Sequence, residues 1–123
     1  MASDTVTTLP VFFTWEQWEG PPGITMIAHL DIGRMHFETR QNRRAQKLTI
    51  VGALLDSGGS FVAGKRCDLE LNFKDATFEQ FAKTGFTAAM TIKAPPGSYS
   101  VRAVAQDGLD GKLAGASGVV QVK

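Results

Sequence analysis

Cys67 is the chain's one cysteine, so no disulfide can close within it, and the small scaffolds held by several bridges are excluded. Long apolar runs are missing as well. No stretch has the length of a membrane-spanning helix, and the N-terminus lacks the basic region and apolar core of a signal peptide. Charge of one sign is not in excess: 13 Lys and Arg stand against 12 Asp and Glu, and a net charge of +1 removes the electrostatic footing expected of a nucleic-acid binder. Imidazole is scarce too, limited to His29 and His36.

What is present is a globular composition. With 123 residues, 43% of them hydrophobic, the chain can bury a single core without metal or bridge. Its dominant pattern is alternation, the period of a half-buried strand. The stretch from Pro95 to Gly108 carries it best: Pro95, Pro96 and Gly97 make a turn, Tyr99, Val101, Ala103 and Ala105 then share one face, and Ser100, Arg102 and Gln106 share the other with Val104. A tyrosine at the mouth of such a strand can bury its ring and spend its hydroxyl on the adjoining loop, as a sandwich corner requires.

The remaining elements follow the same logic. Ile24, Met26, Ala28, Leu30 and Ile32 alternate, Gly33 suggests a bulge, and Met35 with Phe37 resumes the apolar face. In Gln46–Leu55 both faces are apolar, Leu48, Ile50 and Leu54 on one and Val51, Ala53 and Leu55 on the other, which predicts a central strand or one covered by the N-terminal segment. Asp56-Ser57-Gly58-Gly59 predicts a tight hairpin, after which Cys67, Leu69, Leu71 and Phe73 point inward and Gly64 marks a second bulge. One helix is expected, near Ala76–Thr84, capped by Asp75 or Thr77 and ended by Gly85. Phe86–Ile92 and a final strand including Val119–Val122 complete an all-β, antiparallel, immunoglobulin-like β-sandwich of about seven strands with one short connecting helix. The Gly20-Pro21-Pro22-Gly23 turn separates residues 1–23, an N-terminal extension expected to pack as an edge strand, from the sandwich at 24–123.

From about Ile24 onward the chain resembles the C-terminal β-sandwich region of the acidobacterial proteins called von Willebrand factor A-related (VWFA-related) domain proteins. The matching residues are Leu30-Asp31-Ile32 with Met35 and Phe37, Leu54-Leu55-Asp56-Ser57-Gly58-Gly59, Leu69-Glu70-Leu71, the helix before Gly85, Pro95 to Arg102, and the Asp107–Gly111 turn. The resemblance implies an immunoglobulin- or fibronectin-like accessory module of a longer, extracytoplasmic (periplasmic or secreted) protein, and brings no catalytic residues. The metal-dependent adhesion motif Asp-x-Ser-x-Ser of the A-type domain is not matched by Asp56-Ser57-Gly58-Gly59-Ser60, which sits in a hairpin.

Cys67 reads as an inward, inert thiol, and neither histidine has a third ligand at zinc spacing. The loop Asp107-Gly108-Leu109-Asp110-Gly111 has two carboxylates, too few for calcium on its own, and reads as a polar turn. Asp68 and Glu70 share a strand face without an apolar pocket to tune either one, and Arg40, Arg43 and Arg44 read as a solvated hairpin tip. Trp15 and Trp18, with Phe12 and Phe13, form either a cover for the core or an aromatic platform. The expectation is therefore a non-catalytic protein-interaction module with no cofactor, no metal, no nucleic-acid partner and no membrane insertion, engaging a protein partner or a neighbouring domain of the same chain. The alternative is a carbohydrate-binding module stacking sugars on Trp15 and Trp18.

Overall fold

A computed structural model describes residues 5–7, 9–17 and 20–123. Its elements in chain order are β1 (Thr5–Thr7), β2 (Val11–Gln17), β3 (Gly23–Leu30), a short 3-10 turn (Ile32–Arg34), β4 (Glu38–Arg40), β5 (Arg43–Leu55), β6 (Phe61–Lys74), α1 (Asp75–Thr84), β7 (Phe86–Lys93), β8 (Gly97–Asp107) and β9 (Leu113–Val122). The molecule is all-β with one short helix, as the alternation predicts. Two antiparallel sheets form it: one orders its strands β2-β3-β7, the other β1-β9-β8-β5, with β6 along the far side of β5 and β4 continuing the line of β8. The three-residue strands β1 and β4 are additions to the expected set. The longer strands alone follow the order of an immunoglobulin-type sandwich, with the first, second and fifth in one sheet and the rest in the other.

The two sheets close over a shared core. Val11, Met26, Ala28 and Leu30 of the smaller sheet meet Leu48, Ile50, Ala103, Ala105 and Ala114 of the larger, while Ile24, Leu54, Ile92, Tyr99, Val101 and Val122 fill the other end. Small residues at Ala28, Ala103 and Ala105 let the sheets approach, and at Gly52 the opposite sheet fills the space of a side chain: Ile92 Cδ1 and the Met26 thioether lie 3.0 Å from where a β-carbon would be. At the end of the sandwich, α1 lays Phe78 and Phe81 against Phe37, Phe73 and Phe86 in a continuous set of tilted and edge-on ring contacts. The helix thus lids the core instead of being buried in it.

Several local expectations are corrected. Gly33 does not bulge a strand; the chain leaves β3 through the 3-10 turn, and Gly33 sits close against Ala82 of α1. The alternation of Ile32, Met35 and Phe37 was misleading because all three are buried by an irregular segment wrapping the same core. The bulge in the long hairpin falls at Leu54/Leu55, and Gly64 stays in register opposite Ala53 with the Phe61 ring over it. Neither Asp75 nor Thr77 caps α1: the helix starts at Asp75 with Lys74 at the N-cap and no side-chain cap hydrogen bond. Gly85 does end it, at φ 77°.

Candidate binding surfaces

The residues with chemical potential are dispersed, each engaged locally. His29 stacks flat on Phe12, with ring centroids 4.6 Å apart, and its Nε2 lies 2.8 Å from Thr14 Oγ1. His36 Nδ1 contacts Asp110 Oδ2 at 2.9 Å. Cys67 is inward and half-buried beside Leu69 on β6, with neither histidine as a hydrogen-bond partner. Among the described residues no three His, Cys, Asp or Glu side chains gather as a metal site, and no helix is long and apolar enough to cross a membrane.

The arginines of the β4–β5 hairpin are spent at home. Arg40 pairs with Glu38, Arg43 donates to Asn72, and Arg44 pairs with Asp75 while lying over the Phe78 ring. In the Asp107 loop, Oδ1 of Asp107 accepts the amides of Asp110 and Gly111 at 2.6 and 2.9 Å, which closes the turn. Its Oδ2 is buried without a hydrogen-bond partner among the described residues, a position suited to an ordered water. Asp68, on the outer face, accepts the Thr49 hydroxyl and lies beside the Arg66 guanidinium, and these contacts hold its carboxyl below the ordinary range.

Trp15 pairs with Met26 on the inward side of β2, half-buried against both parts of the core. Trp18 lies outside the described residues. The aromatic ring displayed outward from this segment is Phe12, beside a shallow groove lined by His29, Asp31, Thr84, Gly85 and Thr87. Strand alternation alone accounts for the division: odd positions of β2 meet the inward row of β3, even positions the outward row.

The larger sheet's outer face is the surface that sequence patterning left undecided. Register aligns Val51 with Val104, Ala53 with Arg102, and Leu55 with Ser100, while Val119 lies opposite Ser100 and Phe61 opposite Leu55. All these residues point away from the core. Phe61 is 67% exposed, Val119 64%, Val104 44% and Val51 41%. No described element covers this face. Arg102 stands among these residues, exposed and without an ion-pair partner among the described residues.

Comparison with protein-family models and with curated proteins finds no match to the chain.

Proposed function

We propose that the chain is a non-catalytic, protein-interaction module of a larger, exported bacterial protein, and that it docks a neighbouring domain or a separate protein through the outer face of the larger sheet. The observation that carries this reading is the apolar surface of Val51, Leu55, Phe61, Val104 and Val119 around Arg102. Contiguous apolar surface on a soluble protein marks a contact with something else, and arginine set among apolar residues is a frequent anchor of such contacts. The mechanism is passive: a rigid sheet presents the patch, and the partner supplies apolar surface and a carboxylate opposite Arg102. The dispersal of His29, His36 and Cys67 among separate contacts supports the non-catalytic side of the reading. Export and membership of a larger protein rest on the resemblance to VWFA-related proteins.

A photo-crosslinking residue at Val104, in the protein expressed in its own cells, tests the proposal. The expected result is one defined cross-linked partner or intrachain domain, absent when the same residue replaces Thr87 on the opposite sheet. Equal labelling from both faces, or none from either, contradicts it.

The carbohydrate-binding alternative is favoured by one observation, the outward ring of Phe12 beside a polar groove. A glycan array separates the two readings: binding of a sugar that is lost in Phe12→Ala supports the alternative, and silence across the array removes it.

A further inference from the structure

A second surface, independent of the outer face, lies on the open side of the sandwich between β6 and β7. β7 pairs with β3 on one side, and no described strand pairs with its other edge. From Phe86 to Ile92 that edge carries neither charge nor proline. Three other edges carry such protection: β6 has Lys65, Arg66, Asp68 and Glu70, β4 is three residues long with Glu38 and Arg40, and β2 is preceded by Pro10 and carries Glu16. The neutral edge of β9 beyond Ala116 is met by the Gln17 side chain, which donates to the Gln121 carbonyl oxygen. Bare, neutral edges of this kind are templates for strand addition.

The interior is also incomplete there. Leu48 and Met26, in the middle of the sandwich, are 0% and 1% exposed. Cys67 and Leu69 on the inward row of β6, and Ala88 and Met90 on the inward row of β7, are only half-buried although they face the same interior. In the constant-type immunoglobulin arrangement the fourth strand stands beside the fifth and covers that row, whereas here the fourth long strand, β6, pairs with β5. Here α1 makes the connection from β6 to β7 at the end of the sandwich and leaves that lane empty among the described residues.

Charge marks one end of the lane. Lys65 lies opposite Gly52 on β5, the residue over which Ile92 packs, and Lys93 directly follows Ile92. Both lysines are exposed, and neither has an ion-pair partner among the described residues. The opposite end is closed by the rings of Phe73, Phe81 and Phe86.

We propose that this lane accepts an extended peptide segment as a fourth strand of the smaller sheet, apolar at alternate residues and acidic at the end that meets Lys65 and Lys93. Main-chain hydrogen bonds to β7 would hold it, its apolar side chains would cover Ala88, Met90, Cys67 and Leu69, and its carboxylates would neutralise the two lysines. A second copy of the chain fits less well. The β7 edge of a second copy, Phe86–Lys93, holds no carboxylate to set against Lys65 and Lys93.

The test uses two synthetic peptides of alternating valine and threonine, one ending in two glutamates and one in two lysines. The glutamate peptide should shift the amide signals of Thr87–Lys93 in NMR spectra and slow the reaction of the Cys67 thiol with Ellman's reagent. The lysine peptide should bind at least about tenfold more weakly. Because Lys65 and Lys93 are exposed, the variant carrying Lys65→Glu and Lys93→Glu should fold normally and reverse the preference. Equal binding of both peptides, no binding at millimolar concentration, or shifts that map away from β7 would overturn the proposal. Peptide-independent dimerisation mapped to β7 would also overturn it, by giving the lane to a second copy.

Discussion

The Tyr99 hydroxyl donates a hydrogen bond to the Pro95 carbonyl oxygen, 2.5 Å away, across the turn that carries the chain from β7 into β8. The ring is buried against Ile24, Leu54, Ile92 and Val122, so one side chain fixes both the turn and the end of the core. Removing the hydroxyl in Tyr99→Phe leaves the packing and should cost about 1–2 kcal/mol, the loss of one part-buried hydrogen bond. Tyr99→Ala removes the ring as well and should cost about 3–5 kcal/mol. Urea unfolding of the two variants separates the contributions.

Gly52 makes a second, opposite prediction about the core. Ile92 and Met26 occupy the space above it, so a side chain there overfills the gap between the sheets. Gly52→Leu should destabilise by about 1–3 kcal/mol, and Gly52→Ala by less because the contacting atoms are the mobile ends of Ile92 and Met26. The same unfolding measurement checks the order.

The strand from Tyr99 to Gln106 was legible because Tyr99, Val101, Ala103 and Ala105 alternate with Ser100, Arg102 and Gln106, broken only by Val104, and the fold repeats that pattern in its burial. The Asp56 hairpin was legible for a local reason: Asp56 Oδ1 accepts the amides of Gly58 and Ser60, and Gly59 takes φ 82°. Non-local features were not. Nothing in Val51, Ala53 and Leu55 says whether their face is covered, since that depends on which segment returns over β5. The bare edge of β7 is likewise a property of topology, set by α1 passing at the end of the sandwich. Trp15 was visible as an aromatic residue, but the side of β2 it occupies depends on a register with β3 that one irregular strand does not reveal.

Asp68 gives a prediction in pH. The Thr49 hydroxyl, and then Arg66, favour its ionised form and lower its pKa. A depressed folded-state pKa means that the contribution is present above the ordinary carboxylate range and is lost as pH falls through the lowered value. Thr49→Val and Arg66→Gln should each raise the Asp68 pKa toward the ordinary value. Carboxyl carbon NMR titration of Asp68 in the three proteins measures this; an unchanged value in Thr49→Val would contradict the assignment of the main cause.

Val101 and Val104 share β8 but face opposite ways, the first fully buried and the second 44% exposed. If the outer face serves docking, its apolar residues contribute little to folding. Val104→Lys should change stability by no more than about 0.5 kcal/mol, whereas Val101→Ala should cost about 2 kcal/mol through the lost methyl contacts and the cavity left behind. A large loss in Val104→Lys would mean that the face is covered by the chain's own residues.

The most direct test of the docking account is the affinity of the partner captured from Val104, measured by titration calorimetry against variants of the two faces. The account predicts that Arg102→Glu weakens binding at least about tenfold, equivalent to about 1.4 kcal/mol, while Thr87→Glu on the opposite sheet leaves it unchanged. Unchanged affinity in Arg102→Glu, with both proteins folded, would contradict the assignment of the larger sheet's outer face as the docking surface.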